Sequence, residues 1–268
     1  MTIVAAAQLR LSVAKVAANR AAGLRAIEDA AAAAASLVVL PELSDTGYVM
    51  HGPEEAASLA DHEGTLEAWC AAAARLGVVV VGGLCVAGGG GALRNAAAVV
   101  DPGGVRALYW KAHLWDAEPD LFAAGGEPPP VVDTAAGRVA VVVCYDLELP
   151  EWVRKAAEAG AEILAAPVNW PRVLDPPAGE RPVEVVKAQA AAATNGLWVV
   201  VADRCGPERG VDWVGGSVVV DPDGYPVAGP AGGGEPALLL AEIDPARARD
   251  KSLGARNDRF ADRRPELY

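Results

Sequence analysis

Short apolar runs alternate with stretches rich in Ala, Leu and Arg along the first half of the chain. The runs have the length and composition of buried strands, whereas the longer stretches contain almost no glycine and are typical of helices. The second of these stretches is followed by Gly77, a residue that commonly ends a helix. The predicted strands are residues 3–9, 37–40 and 78–86, and the predicted helices are 13–35 and 65–76.

Two connections in the middle of the chain predict tight turns between strands. The strands 93–100 and 105–110 are joined by Asp-Pro-Gly-Gly at 101–104, which predicts a hairpin. Four glycines at 88–91 precede the first of these strands. They lack the Lys-Ser/Thr of a phosphate-binding loop and open no helix, so a turn is predicted there as well.

The second half of the chain repeats the strand–helix pattern. Strand–helix pairs mixed with hairpins favour an α/β sandwich with mixed sheets over a purely parallel, doubly wound sheet. No linker with a change of composition separates the halves, so residues 1–268 are predicted to form a single domain. The tail from about 244 to 268 is expected to lie across the surface or a partner subunit. The predicted strands are 139–143, 163–166, 197–202, 216–220 and 237–243, and the helices are 150–159 and 181–194.

Composition and charge narrow the function classes. The 268 residues are 52% hydrophobic and carry a net charge of −12, which repels phosphate backbones and anionic membranes, so neither a nucleic-acid nor a membrane partner is expected. No apolar run reaches the roughly 18–20 residues that span a bilayer. The four cysteines form no CxxC pair and the first residues read as a strand, so a reduced, cytoplasmic protein is predicted. None of the three histidines has metal-ligand spacing, and no metal site is predicted.

Three reactive side chains of different kinds each follow an apolar, strand-like run. Glu42 follows 37–41, Lys111 follows 105–110, and Cys144 follows 139–143. Strand ends from distant parts of a chain can meet at one edge of a fold, so the three predict a single site. An acid, an amine and a thiol together indicate acyl transfer through a covalent thioester.

The setting of Cys144 is that of a nucleophile elbow, between a buried strand and a helix near Pro150. A sharp turn there would expose the thiol, and backbone N–H groups would be available to an oxyanion. The alternative is a small buried hydrophobe, the usual fate of a free cysteine. Cys70 and Cys85 fit that alternative better, and Cys205, at a strand end, remains a second candidate. A Cys–His nucleophile pair also stays open, because the order of such residues differs between folds.

The acid and the amine have ordinary alternatives too. Burial would raise the pKa of Glu42 toward neutrality, as a general base requires, but a loop carboxylate on the surface is also possible. An ammonium at Lys111 could lower a thiol pKa and stabilise an oxyanion, although its stem could simply pack on the aromatic residues around it. Glu118, seven residues further on, would by itself be read as a surface acid.

Several motifs together resemble the nitrilase superfamily of carbon–nitrogen hydrolases, over nearly the whole chain. The resemblance implies a four-layer αββα sandwich with two mixed sheets and a catalytic set that maps onto Glu42, Lys111 and Cys144, with Glu118 beside it. The motifs are Pro41-Glu42, Trp-Lys-Ala-His-Leu-Trp at 110–115, Glu118, Phe122 with Gly125, and Cys144-Tyr145-Asp146 followed by Pro150-Glu151, with support from Gln8, Gly-Gly-Ser at 215–217 and Asp-Pro-Asp-Gly at 221–224.

Within the superfamily the chain looks most like the short aliphatic amidases, since true nitrilases commonly carry Cys-Trp-Glu where this chain has Cys-Tyr-Asp. Glu148 and the loop 173–181 depart from many relatives and leave the acyl group open. An apolar, aromatic pocket for a small neutral or aliphatic acyl group is expected. The residues predicted to bind substrate are Tyr48, Trp115, Tyr145, Asn169 and Trp170.

The predicted reaction is hydrolysis of a small amide to a carboxylic acid and ammonia through a Cys144 thioester. Lys111 and the backbone N–H of Tyr145 would hold the oxyanion, and no cofactor is required. The resemblance also implies a homodimer or a larger homo-oligomer. Two alternatives remain, a nitrilase that acts on a small nitrile and a non-catalytic scaffold with the same fold.

Overall fold

A computed structural model describes residues 1–60, 62–88 and 91–267 of the chain, without the side chains of residues 62 and 63. Residues 89 and 90 of the predicted 88–91 turn, and Tyr268 at the end of the tail, lie outside the described residues. The helices are α1 Val16–Ala32, α2 Pro53–Leu59, α3 His62–Leu76, α4 Pro150–Glu158 and α5 Val183–Asn195. The strands are β1 Thr2–Arg10, β2 Leu37–Val39, β3 Val79–Ala87, β4 Leu93–Asp101, β5 Gly104–Trp110, β6 Val131–Thr134, β7 Gly137–Val141, β8 Ile163–Pro167, β9 Trp198–Ala202, β10 Arg204–Cys205, β11 Val218–Val220, β12 Pro226–Ala228 and β13 Ala237–Ile243.

The strands form two mixed sheets. In the first sheet the order is β10, β1, β2, β3, β4, β5, with β13 also paired to β1. Strands β1, β2 and β3 are parallel, whereas β3, β4 and β5 are antiparallel. The second sheet has the order β12, β11, β9, β8, β7, β6. Its three central strands β7, β8 and β9 are parallel, and the flanking pairs are antiparallel.

The two-residue period of the strands sorts their side chains into layers. Val4 and Ala6 of β1 belong to the core between the sheets, which also contains the valines of β7 and β9. Ala5 and Ala7 face the other way and pack with Ile27 of α1. Helices α1 and α3 cover the outer face of the first sheet, and α4 and α5 cover that of the second. The fold is therefore a four-layer αββα sandwich, as predicted.

The element bounds differ from the predictions mainly at the ends. The first predicted helix, 13–35, is shorter at both ends because Ala14 and Ala34 adopt positive φ angles of 64° and 61°. The short elements α2, β6, β10 and β12 were not predicted. The proline and two glutamates that open α2 are helix-start signals, but the helix has only seven residues.

The tail beyond residue 244 packs on the C-terminal end of α5. Lys251 donates hydrogen bonds to the carbonyls of Asn195 and Gly196, at 2.9 and 2.8 Å. Arg259 Nε donates to the carbonyl of Ala193 at 2.8 Å. These basic side chains satisfy the carbonyl groups that every helix leaves unpaired at its C-terminus. Among the described residues, no helix combines the length and apolarity needed to cross a bilayer.

The two sheets meet where β2 and β8 end, and Glu42 lies at this junction. The backbone N–H of Glu42 donates to the carbonyl of Val168 at 3.4 Å, and Asn169 Nδ2 donates to the carbonyl of Glu42 at 2.8 Å. On the other side, strand β3 passes so close that a Cβ on Gly83 would lie 2.4 Å from Glu42 Cα and 2.6 Å from Leu43 N. The backbone of Glu42 is therefore fixed from both sheets.

We expect Gly83→Ala to destabilise the protein by about 1–3 kcal/mol, because the added methyl must displace the backbone of Glu42 or bend β3. Thermal unfolding measures this change. The control is Gly126→Ala, since a Cβ there would meet nothing within 4 Å. Equal unfolding midpoints for the two variants would contradict the close approach.

Candidate active site

Lys111 is the centre of a buried cluster of charges. It follows β5, where its backbone N–H donates to the carbonyl of Asn95 at 2.9 Å. Its Nζ donates to Glu42 Oε1 and Glu118 Oε1, both at 2.8 Å. The Lys111 side chain is fully buried. Burial alone would lower its pKa, but the two glutamates outweigh this effect and raise the pKa above the ordinary lysine value.

Glu42 has one carboxylate oxygen bound and one free for chemistry. Oε1 accepts from Lys111 Nζ and from Asn95 Nδ2, the latter at 2.7 Å. Oε2 is buried and has no hydrogen-bond partner within the described part of the chain. Burial, reinforced by repulsion from Glu118 and opposed by Lys111, raises the pKa of Glu42 to about 7. Glu42 can therefore exchange a proton near neutral pH.

Glu118 organises the other side of the cluster. Its Oε2 accepts from the backbone N–H of Trp115 at 2.8 Å, which fixes the carboxylate against its own loop. Its Oε1 accepts from Lys111 Nζ, from Asn95 Nδ2 at 3.0 Å and from the hydroxyl of Tyr48 at 2.9 Å. Glu118, read from sequence as a surface acid when taken alone, is thus buried and faces Lys111.

Asn95 is a member of the cluster that sequence reasoning missed. It lies on β4, and its Nδ2 bridges Glu42 Oε1 and Glu118 Oε1. An asparagine within the otherwise apolar segment 95–100 was the available signal, because a buried amide needs hydrogen-bond partners. The identity of those partners, from the loop after β2 and the loop after β5, could not be read from the strand itself.

Cys144 occupies a strained position at the start of a 3₁₀ turn, Cys144–Glu148, and has a φ of 48°. A non-glycine residue in this region is uncommon and often marks a functional site. The Sγ atom lies 3.7 Å from the carbonyl oxygen of Asn169. Burial and the negative charge of Glu42 raise the pKa of the thiol well above its ordinary value, against the opposing effect of Lys111. The resting group is therefore a thiol that needs a base.

Asp146 holds the turn that carries Cys144. Its Oδ2 accepts from the hydroxyl of Tyr109 at 2.7 Å and from the backbone N–H of Val143 at 3.1 Å. Its Oδ1 accepts from the backbone N–H of His113 at 2.9 Å and lies 2.7 Å from that residue's ring Nδ1. His113 is thus engaged with Asp146, so the open alternative of a Cys–His pair loses this histidine.

A cavity of about 430 Å³ reaches the charged cluster at Glu118. Of the residues predicted to bind substrate, Tyr48 and Trp115 line it. Tyr145 is half-buried and packs edge-on against Trp115, with ring centroids 5.0 Å apart. Another cavity, of about 510 Å³, lies between α4 and α5 and contains none of the cluster residues. The remaining walls of the first cavity are Val49, Met50, Asp116, Ala117, Leu121, Phe122, Pro171, Val173, Val211 and Trp213.

Asn169 and Trp170 lie behind the cluster and outside this lining. Asn169 holds the backbone of Glu42, as described above. Trp170 is buried, and its backbone N–H donates to Asp203 Oδ1 at 3.1 Å. Their predicted contact with substrate stays a prediction. No group of three or more His, Cys, Asp or Glu side chains in the described ranges is arranged to hold a metal ion.

The match to a family model decides the family. Residues 3–251 match the model of carbon-nitrogen hydrolases. The chain belongs to this family. It is 36% identical over 245 residues to a protein of Pyrococcus abyssi named nitrilase, which covers 90% of this chain and 89% of the relative. It is also 33% identical over 191 residues, 70% of this chain and 66% of the relative, to an (R)-stereoselective amidase of a Pseudomonas species.

Solved structures agree with the family assignment. A glutamate-to-glutamine mutant of the amidase from Nesterenkonia sp. AN1 superposes with a TM-score of 0.83 at 29% identity, over 100% of this chain and 98% of that chain. That structure shows the Michael addition of acrylamide at the active-site cysteine of the Nesterenkonia amidase. The carbon–nitrogen hydrolase described here is thus an enzyme whose relatives and structural neighbours include amidases.

We expect iodoacetamide to alkylate Cys144 before the other cysteines, at a rate that rises as the pH increases through about 7. Below that pH Glu42 is protonated and cannot take the thiol proton, whereas above it the carboxylate is available. Cys85 and Cys205 are 0% exposed, whereas Cys144 is 5% exposed and interacts electrostatically with Glu42 and Lys111, so neither should compete. Peptide mass spectrometry measures each site.

The control for this labelling is Glu42→Gln, which should remove the inflection near pH 7 because the titrating carboxyl is gone. Faster labelling of Cys70, which is half-buried, or the same inflection in the control would show that Glu42 does not act on Cys144.

Proposed function

We propose that this carbon–nitrogen hydrolase cleaves small, uncharged amides to a carboxylic acid and ammonia through a thioester on Cys144. The observation that carries the proposal is the fully buried ammonium of Lys111 between Glu42 and Glu118, next to a thiol whose pKa responds to all three. Such a group of charges supplies a base, a nucleophile and a cation without any cofactor.

In the first step Glu42 Oε2, the oxygen without a partner among the described residues, accepts the proton of Cys144. The thiolate attacks the amide carbon, a C–S bond forms, and the carbonyl electron pair moves to oxygen. Lys111 Nζ stabilises this oxyanion. The backbone N–H of Tyr145 assists, since it lies in the first turn of the 3₁₀ segment, where N–H groups have no partner within the turn.

In the second step the oxyanion collapses and the C–N bond breaks. Glu42 returns its proton to the nitrogen, so that ammonia leaves and a thioester remains. Water then attacks the thioester and gives a proton to Glu42. The C–S bond breaks, the thiol recovers the proton, and the carboxylic acid is released. Each step therefore uses the same glutamate, and a pKa of about 7 lets it act alternately as base and acid.

In this proposal Glu118 keeps Lys111 charged and aimed at the oxyanion. Its four accepted hydrogen bonds, from Lys111, Asn95, Tyr48 and the Trp115 backbone, leave the carboxylate little freedom to move. Losing one oxyanion donor typically costs about 2.7–4 kcal/mol in the barrier. Glu118 would act on the reaction through Lys111 and through the cavity wall that it forms.

We expect Cys144→Ala to abolish ammonia release from amides while leaving the unfolding temperature near that of the wild type. The similarity to a protein named nitrilase favours nitriles as a second substrate class, so the assay should use an amide and the nitrile of the same acyl group. Faster turnover of the nitrile would favour that second class. Normal turnover by the variant would contradict the proposed nucleophile.

The cavity walls support an uncharged acyl group. Most of the lining residues are apolar or aromatic, and the charged residues among them, Asp116 and Glu118, are both acidic. Apolar walls favour hydrocarbon chains, and the two carboxylates disfavour a further negative charge. The absence of lysine and arginine from this described lining is the feature that distinguishes it from a site for dicarboxylic half-amides.

We expect an amide whose acyl chain ends in a carboxylate to have a kcat/KM at least roughly tenfold below that of the amide ending in a methyl group. Steady-state ammonia release with this matched pair measures the difference. The variant Asp116→Asn should reduce the difference in kcat/KM between the two substrates, because it removes one of the two negative charges of the lining. Asn also tolerates the φ of 47° found there. A preference for the carboxylate substrate would contradict this assignment of the cavity.

We propose that the enzyme works on a small-molecule amide in the cytoplasm, and that it forms a homodimer or a larger homo-oligomer. The acidic surface, with a net charge of −12, supports the proposal that nucleic acids and anionic membranes are not its partners.

A further inference from the structure

Tyr48 is held at three points, by Glu118 and by two residues of the segment after β10. Its hydroxyl donates to Glu118 Oε1 at 2.9 Å. Its ring packs edge-on against Trp213, with centroids 5.4 Å apart and an interplanar angle of 76°. Its backbone N–H donates to Glu208 Oε2 at 2.9 Å. The first contact joins Tyr48 to the charged cluster, and the others join it to the segment after β10.

Glu208 belongs to a buried ion pair with Arg204. The two side chains are 2% and 0% exposed, and the pair is bidentate, with distances of 2.8 Å from Nη1 to Oε2 and 3.0 Å from Nη2 to Oε1. Arg204 Nη2 also donates to the carbonyl of Leu11 at 2.6 Å. Its guanidinium lies 4.5 Å above the ring of Trp213. The pair therefore reaches both Tyr48 and the aromatic residue that packs on it.

The backbone before Tyr48 is fitted closely around this pair. Glu208 Oε2 accepts from the N–H groups of two consecutive residues, Tyr48 and Val49, at 2.9 and 2.8 Å. Gly47 has a φ of 79°, and a Cβ there would lie 2.7 Å from Glu208 Oε1 and 2.5 Å from Val13 Cα. Only glycine allows the loop to approach the carboxylate this closely.

Burying two charges is a costly way to stabilise a loop. Removing both ions from water costs several kcal/mol each, and well-packed apolar residues often stabilise as much or more. What the ion pair provides is geometry, because a bidentate arginine–carboxylate pair fixes direction as well as distance. The fixed direction is used here to set the position of the Tyr48 backbone.

We propose that the Arg204–Glu208 pair is a positioning element that sets Tyr48, and through the Tyr48 hydroxyl the carboxylate of Glu118, so that Lys111 is held for the oxyanion. The inference rests on the proposed function, in which Lys111 is an oxyanion donor oriented by Glu118. Arg204 and Glu208 touch none of the reacting atoms in this account and act through Tyr48.

The test is a double-mutant cycle of Glu208→Gln and Tyr48→Phe, with kcat measured for each single variant and for the double variant. The glutamine places an N–H₂ group against the backbone N–H groups or against Arg204, so the loop must shift. We expect kcat to fall roughly tenfold to hundredfold in Glu208→Gln, as for a misplaced positioning group. In the Tyr48→Phe background the same change should lower kcat by less than about threefold, because the hydroxyl that transmits it is gone.

A matched control separates positioning from loss of stability. Glu162 is also a buried carboxylate that accepts from an arginine and from a backbone N–H, here Arg249 Nε and the N–H of Arg138. Because the Arg249 side chain is 72% exposed, Glu162→Gln should lower the unfolding temperature by less than Glu208→Gln does, and it should leave kcat within about twofold of the wild type. Arg204→Lys, which keeps the charge and loses the fork, serves as the second variant if Glu208→Gln does not fold, and should lower kcat in the same direction.

Two results would overturn the inference. One is a wild-type kcat in the folded Glu208 or Arg204 variant, and the other is an equal fall in kcat with and without the Tyr48 hydroxyl. The assay uses whichever substrate, amide or nitrile, the wild-type enzyme hydrolyses faster. A wild-type enzyme that cleaves no amide but cleaves a nitrile would thus contradict the proposed function and still allow the cycle to be measured.

Discussion

The burial of one ammonium group between two carboxylates is the interaction on which this structure depends most. Lys111, Glu42 and Glu118 have almost no contact with solvent, so the ammonium relies on the two carboxylates for its compensation, and each carboxylate relies on Lys111 and Asn95. Removal of one member of a buried ion pair typically costs 3–5 kcal/mol, since an uncompensated charge is left behind. The cluster is thus a structural centre and, in the proposed mechanism, also the source of the chemical reactivity.

The same burial explains why the proton can move. Burial makes Glu42 a weaker acid than an exposed glutamate, and its pKa of about 7 lies close to neutrality. The thiol of Cys144 is likewise made a weaker acid by its surroundings. In the proposed mechanism a thiolate forms only when Glu42 accepts its proton and Lys111 stabilises the negative charge that results. The proposed reactivity therefore depends on Glu42, Cys144 and Lys111 together. Burial disfavours the ionisation of Glu42 and of Cys144 taken singly, but it favours transfer of the proton from Cys144 to Glu42.

The fold supplies this environment by packing two sheets face to face, so that residues following β2, β7 and β8 meet. Glu42 follows a strand of the first sheet, Cys144 follows a strand of the second, and Asn169 links them through the backbone of Glu42. The approach of Gly83 leaves no room for Glu42 to retreat. Asp146 fixes the strained turn of Cys144, because it accepts hydrogen bonds from the Tyr109 hydroxyl and the Val143 backbone N–H.

Sequence reasoning could locate Glu42, Lys111 and Cys144 because each is a reactive side chain directly after an apolar strand. It could also predict the α/β sandwich with mixed sheets, because short apolar runs, hairpin turns and helical stretches are local signals. Asn95 and Glu208 escaped it because their meaning depends on partners 23–53 and 159–160 residues away. A buried amide or carboxylate has no local pattern that names its partner, and only the packed fold brings the two together.

Rapid acid quenching followed by peptide mass spectrometry is the sharpest test of the proposed Cys144 thioester, because it detects the covalent intermediate itself. The wild-type enzyme would be mixed with an amide that it hydrolyses, and quenched from milliseconds to the steady state. We expect a mass increase equal to the acyl group on the peptide that contains Cys144, and none on the peptides of Cys70, Cys85 and Cys205. An acyl group on another residue, or ammonia release with no acylated peptide at any time, would contradict it.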